Sequence, residues 1–299
     1  MTDISDDELD GLPEFGLLPE NAEQAGVSGP LPSVRRAEVD GISALVWGDA
    51  SPRVVFFHGG GQNAHTWDTV IVGLGVPALA VDLPGHGHSA WREDGDYSPQ
   101  NNAAAVAPVV SQLAPDAELV VGMSLGGLTA IGLGAIAPHL VPELVLVDVT
   151  PSALRRYAEM TTDEQGTVAL VAGERNFPSF EAILEVTTAA APHRDRKSLR
   201  RGVFHNSRRL DDGTWTWRYD NIRKIPDFDS LWDDFAGLSV PVRLVRGGTS
   251  PFVTDEDADE LARRAQQFQG VQIVENSGHS VQSDQPLVLT EILRGVLGG

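Results

Sequence analysis

The chain reads as an α/β protein, a mostly parallel, doubly wound sheet carrying an inserted helical cap. Three observations lead there. Apolar runs of strand length, Arg53–His58, Pro77–Asp82, Glu118–Met123 and Glu143–Asp148, alternate with helix-length segments, the pattern of parallel strands buried on both faces. One of these runs passes directly into Gly122-Met-Ser124-Leu-Gly126 and then a further helix-like segment. From Pro151 to about Phe235 the strands give way to charged segments rich in Arg, Glu and Ala, and strand character returns at Val240. The expected organisation is an acidic, flexible segment over 1–33, a core over 34–150 and 236–299, and a helical cap over 151–235.

In chain order, the first 33 residues hold many acids, several Gly and Pro, and only scattered Leu and Phe, a composition poor in core-forming residues. Leu12, Phe15, Leu17 and Leu18 are the side chains able to dock this segment on the body. Val34–Val39 and Ser43–Gly48 flank Asp40-Gly41, a strong hairpin signal, so the sheet is expected to begin antiparallel. The next two strands end in Gly59-Gly60-Gly61 and in Leu83-Pro84-Gly85-His86-Gly87-His88-Ser89. Helices are predicted from Gln100 to Leu113, from Ser124 to Ala137 and from Asp255 to Phe268, the last with acids in its first turn and Arg further on. Val240–Arg246 and Val271–Glu275 are later strands, and Pro286–Leu297 is a closing helix. Ligands of such sheets gather beyond the carboxyl ends of the strands. Gly59–Gly61, Asp82, Ser124 and Asp148 all fall there.

Composition narrows the partners. At 299 residues the chain is long enough for one large core with an insertion. Lys and Arg number 22 against 42 Asp and Glu, a net charge of −20 that argues against nucleic acid or an anionic membrane as partner. Without cysteine there is no disulfide framework, thiolate nucleophile or cysteine metal site. The acidic N-terminus lacks the basic, apolar, small-residue order of a signal peptide, and no apolar run reaches membrane-span length. A soluble cytoplasmic protein is the expectation.

The Gly-x-Ser-x-Gly turn has the sequence form of a nucleophile elbow. Gly122 and Gly126 permit a turn too tight for side chains at those places, and Ser124 is held out at the strand end. Leu125 then offers a backbone N–H at a helix N-terminus, where free donors and the dipole favour a developing negative charge. His279 follows the last strand in Asn276-Ser-Gly278-His279-Ser280, a loop from which an imidazole can reach back over the sheet as a general base.

With these residues in view, the chain from about residue 35 onward resembles the α/β-hydrolase superfamily. The resemblance rests on His58-Gly59-Gly60-Gly61 with Trp67 after it, Asp82-x-x-Gly85-His86-Gly87-His88-Ser89, Gly122-x-Ser124-x-Gly126 and Gly278-His279, in that order. It implies that Gly60 or Gly61, with Leu125, supplies the oxyanion-hole donors. Many members carry the triad acid after the strand that follows the cap, but here that place reads Gly247-Gly248-Thr249-Ser250, and a serine cannot hold an imidazolium by charge. Asp148 resembles the alternative acid position of several branches. Asp255 and Asp257 are the other candidates, better suited to starting a helix.

The resemblance also gives His58 and Asp82 loop-supporting roles; His86 and His88 read as stabilising a turn beside the pocket, and Trp67 as a packing residue. Trp215 and Trp217, in an insert lying over the strand ends, are candidate substrate-binding residues. The stretch from His193 to Arg201, with Arg208 and Arg209, reads either as a solvated cap helix or as a site for a carboxylate or phosphate.

The expected activity is hydrolysis of a carboxylic ester by Ser124, Asp148 and His279 through an acyl-enzyme, on a small or medium-sized acyl substrate, with no cofactor and no metal. Carbon–carbon bond, lactone and thioester hydrolysis use the same parts and stay open as alternatives. A non-catalytic ligand receptor on this fold is a different class. Relatives that hydrolyse haloalkanes or epoxides use Asp as nucleophile, where Ser124 stands.

Overall fold

Asp40 and Gly41 take positive φ, 51° and 78°, and fold β1 (Val34–Val39) back on β2 (Ile42–Trp47) as an antiparallel hairpin. The four apolar runs follow as β3 (Val54–Phe57), β4 (Ala78–Val81), β5 (Leu119–Met123) and β6 (Leu144–Val147), every residue of them buried. This computed structural model describes residues 11–221 and 230–298. Among these, one sheet runs in the order β1-β2-β4-β3-β5-β6-β10-β11, with β10 at Pro241–Gly247 and β11 at Gln267–Val274. β2 meets β4 antiparallel, and every pairing from β4 to β11 is parallel, so the expected doubly wound, mostly parallel sheet is what forms.

Alternate side chains of the strands feed two cores. Val55 and Phe57 join one cluster and Val54 and Phe56 the other, as the two-residue repeat of a strand requires. The helices in chain order are α1 (Leu18–Ala25), α2 (Asp68–Leu74), α3 (Pro99–Leu113) and α4 (Leu125–Ile136), then, between β6 and β10, α5 (Ala153–Glu159), α6 (Phe180–Ala190), α7 (Arg196–Asn206) and α8 (Leu231–Gly237). α9 (Asp255–Arg264) and α10 (Pro286–Leu297) complete them. Residues of α1, α2 and α10 pack into one cluster, those of α3, α4, α8 and α9 into the other.

Three elements depart from expectation. The segment over 1–33 does not behave as a flexible tail where it is described. Pro19 sits in the first turn of α1, Gly26 ends the helix at φ 68°, and Leu17, Leu18 and Ala22 are buried, with Leu18 and Ala22 in the α2 core. Residues 1–10 lie outside the described residues. The helix predicted to reach Phe268 stops at Arg264, because Ala265 turns extended and the chain enters β11 early. The insert, finally, is not purely helical. β7 (Asn176–Phe177), β8 (Ser207–Arg209) and β9 (Trp215–Trp217) form a small antiparallel sheet in the order β7-β9-β8, over a third cluster that includes Phe180, Ile183 and Leu184. Among the described residues no helix is long and apolar enough to cross a membrane.

Candidate active site

β5 ends in a reversal that only small neighbours allow. A Cβ on Gly122 would lie 2.5 Å from the Gly126 carbonyl oxygen, and one on Gly126 would strike the Phe57 backbone. Between them Ser124 adopts φ 50° and ψ −121°, a conformation that costs a non-glycine residue about 1–3 kcal/mol. The surrounding packing holds it there, and its side chain faces a half-open cavity of about 570 Å³ between core and cap.

His279 lines the same cavity. Its Nδ1 lies 2.8 Å from Oδ2 of Asp148, the residue after β6, which is fully buried and itself at φ 52°. The Asp148 carboxylate also accepts the Gly247 N–H at 2.9 Å on Oδ1 and the Ser250 hydroxyl at 2.5 Å on Oδ2. Facing a carboxylate, Nδ1 carries the proton, which leaves a lone pair on Nε2. Nε2 is buried with no hydrogen-bond partner among the described residues, and Phe252 stacks on the ring at 3.6 Å and 15°. Ser124 and His279 do not hydrogen-bond each other in this conformation. The structure therefore brings together Ser124, Asp148 and His279 and leaves the other two acids elsewhere. Asp255 is 90 % exposed beside Arg246, and Asp257 caps α9 through Thr254 and pairs with Arg156.

Sequence reasoning passes over Ser250 and Phe252. In the sequence Ser250 stands only as a missing acid, whereas its hydroxyl serves the acid on the neighbouring strand.

Of the two glycines offered as oxyanion donors, Gly61 does not fit, because its N–H already donates to His86 Nε2 at 3.1 Å. The N–H groups of Gly60 and Leu125 have no partner among the described residues, and both residues line the cavity. The loop that presents Gly60 is held by neutral histidines. His58 is fully buried, and burial, then the neighbouring His86, push its pKa down to about 3. Its Nδ1–H donates to Gly59 O at 2.7 Å while Nε2 accepts the Leu83 N–H at 2.9 Å. Burial likewise lowers His86, whose Nδ1–H donates to Pro84 O. Burial alone would raise Asp82, but Arg36 and the N–H groups of Ala64 and His88 outweigh it and hold the carboxyl below its ordinary value. Asp82 thus ties the two loops together as an anion.

The two tryptophans separate. Trp217 lines the cavity, stacks on Tyr219 with ring centroids 5.6 Å apart and donates its Nε1–H to Glu174 O. Trp215 does not reach the cavity; it stands on the same face of β9 as Trp217, two residues away, and packs edge-on against Phe180 in the cap core. Much of the basic stretch is taken up by ion pairs, although His193, Arg196 and Arg208 stay exposed. Lys197 pairs with Glu23, Arg200 and Arg201 with Glu20, and Arg201 also with Gln24, all on α1, while Arg194 pairs with Asp284. α1 thereby pins α7 to the core, and its Asn21 and Gln24 form part of the cavity wall. Among the described residues, the side chains spaced to hold a metal are those of His65, Asp68 and His205.

The family described as alpha/beta hydrolase matches residues 54–292. The esterase Rv0045c of Mycobacterium tuberculosis is 72% identical over 98% of this chain and 99% of its own length. A solved structure of that esterase, from work on its inhibition by transition metals, covers 97% of this chain and 100% of that one with a TM-score of 0.90. A pimeloyl-[acyl-carrier protein] methyl ester esterase of Vibrio campbellii is 27% identical over 73% of this chain and 85% of its own.

Proposed function

The chain belongs to the alpha/beta hydrolase family, and from that premise we propose that it is a serine esterase in which Ser124 is the nucleophile, His279 the base and Asp148 the acid. One observation carries the assignment. Asp148 takes one nitrogen of His279 and leaves the other buried, unpartnered and facing the cavity into which the strained Ser124 is turned. In the reaction His279 Nε2 removes the Ser124 hydroxyl proton as Oγ attacks the ester carbonyl carbon. The carbonyl oxygen gathers negative charge against the N–H groups of Gly60 and Leu125, which need no reorganisation to meet it. Asp148 stabilises the imidazolium, which then protonates the departing alkoxide, and water repeats the sequence in reverse on the acyl-enzyme. Leu128, Leu154, Val168, Leu170, Leu199 and Trp217 give the cavity an apolar wall suited to a small or medium-sized acyl group.

Ser124→Ala and His279→Ala are each expected to lower turnover of a p-nitrophenyl ester by about 10³–10⁶-fold with the fold intact, and the double variant to lose little more. Undiminished hydrolysis by folded Ser124→Ala would sink the reading. The same assay across esters, thioesters, lactones and vinylogous diketones selects among the reactions that share these parts. Acyl-chain preference should shift in Trp217→Ala, whereas Trp215→Ala should cost about 3–5 kcal/mol of stability and leave the ranking alone. A changed ranking in Trp215→Ala with stability retained would reverse the two roles.

A further inference from the structure

We propose that His65, Asp68 and His205 form a site for one borderline-soft transition-metal dication, such as Zn²⁺, that joins the cap to the core beside the catalytic cavity. Each residue offers one ligand atom, and the three atoms lie within 4.8 Å of one another. His65 stands in the 3-10 turn Ala64–Trp67 and Asp68 opens α2, three residues on, whereas His205 comes from the last turn of α7. Nothing in the esterase mechanism uses any of them.

Two features point to a cation. Asp68 is 1% exposed, yet its Oδ1 is buried with no hydrogen-bond partner among the described residues, while Oδ2 sits 2.8 Å from His65 Nδ1. A buried carboxylate oxygen without a donor is costly, and a bound cation satisfies it directly. His205 also has no hydrogen bond to its ring nitrogens among the described residues; the ring stacks on His65, with centroids 3.7 Å apart and planes at 13°. Two imidazole nitrogens and one carboxylate oxygen are the donor set of zinc and its neighbours. The second shell is in place as well. Glu14 Oε1 lies 3.2 Å from His65 Nε2, so His65 can ligate through Nδ1 while its other ring N–H is held by a carboxylate, the usual arrangement of metal-bound histidines.

Capture requires a defined movement. Ligand bonds of about 2.0–2.2 Å put ligand atoms about 3.3–3.6 Å apart, so the trio closes by roughly 1 Å. Stacked rings hold their lone pairs in parallel planes, so His205 must turn out of the stack to share an ion with His65. The ion takes the place of the proton between His65 Nδ1 and the Asp68 carboxylate, which can turn to bring Oδ1 onto the ion as well as Oδ2; that proton leaves to solvent, and no oxidation state changes. The turn is felt at the oxyanion loop, because Asn63 Nδ2 donates to the His205 carbonyl at 3.0 Å and Asn206 Nδ2 donates to the Gly61 carbonyl. Occupancy therefore lowers ester turnover. That last consequence rests on the serine esterase reading; the binding itself does not.

Calorimetric titration of the untagged, EDTA-treated chain with ZnCl₂ tests the site. One Zn²⁺ per chain is expected, with affinity at least about tenfold weaker in His205→Gln and in Asp68→Asn and unchanged in His279→Ala. His205 makes no side-chain hydrogen bond among the described residues, so its variant should keep the metal-free melting temperature of the parent even if Asp68→Asn does not fold. Absence of binding, undiminished binding by folded His205→Gln, or loss of binding in His279→Ala, which would put the ion on the triad, overturns the proposal. Ester turnover of the parent should fall over the same Zn²⁺ range that the calorimetry saturates, and the turnover left in His205→Gln should not respond. Turnover unaffected at full occupancy overturns the link to the oxyanion loop. An inactive parent leaves the calorimetric result standing and counts against the esterase reading instead.

Discussion

The ends of β6 and β10 lie side by side, with Val147 paired to Val245, and they hold His279 in different ways. The β6 end contributes a carboxylate on Asp148, the β10 end a hydroxyl on Ser250 and an amide on Gly247. Many proteins that this chain resembles carry the acid at the second place. Here the two roles fall on separate strand ends, since one carries the charge and the other hydrogen-bonds that charge, Ser250 on the same oxygen that faces His279. Because the strands are neighbours, a carboxylate from either can reach the same ring nitrogen. What the site demands is a carboxylate at Nδ1, and the fold offers two backbone positions from which to supply it.

The largest expected effect comes from removing the charge. Asp148→Asn keeps the shape but can favour the wrong tautomer of His279, and by analogy with the serine-protease triad turnover should fall by about 10³–10⁴-fold. Adding Ser250→Asp to that variant should recover part of the loss, since the second strand end then carries the acid. Steady-state kinetics of the single and double variants decide the matter, and an Asp148→Asn enzyme with near-parental turnover breaks the comparison. Ser250→Ala, a middle case, deprives the carboxylate of one donor in a buried setting. Loss of about 1.5–3 kcal/mol for a hydrogen bond to a charged group is expected, read as roughly a tenfold fall in turnover together with a lower melting temperature. No change in either would make Ser250 a bystander. The smallest effect belongs to Asp255→Asn, which touches an exposed pair with Arg246 and should leave turnover within about twofold and stability within about 1 kcal/mol. A large kinetic loss there would mean that α9 reaches the imidazole in a conformation other than this one.

The parts legible in the sequence are those governed by short-range rules. Apolar runs announce β3 to β6, Asp40-Gly41 announces the hairpin, and the glycines around Ser124 announce a turn that collides with any larger residue. What escapes depends on partners far away in the chain. Ser250 and Asp148 are separated by 102 residues, so in the sequence the hydroxyl looks like an omission. α1 carries its own signals, Pro19 at the start and Gly26 at the end, but its acidic character outweighs them until Lys197, Arg200 and Arg201 are seen opposite. The same pairing explains why the basic stretch looks ready for an anion. Trp215 and Trp217 share one face of β9, so strand alternation does not tell which of them reaches the cavity. No spacing rule joins His205 to His65 and Asp68.

α1 has a kinetic meaning as well as a structural one. Its contacts with α7 join residues 174 to 181 positions apart, and Leu18 shares a core cluster with Leu293 near the other end of the chain. Contacts of such sequence separation give nothing back until the intervening loop has closed, so they belong to the slowest class of folding events. The wall that Asn21 and Gln24 contribute is therefore synthesised first and assembled late. A nascent chain can complete its elbow strand and the hairpin long before its substrate cavity has all of its walls.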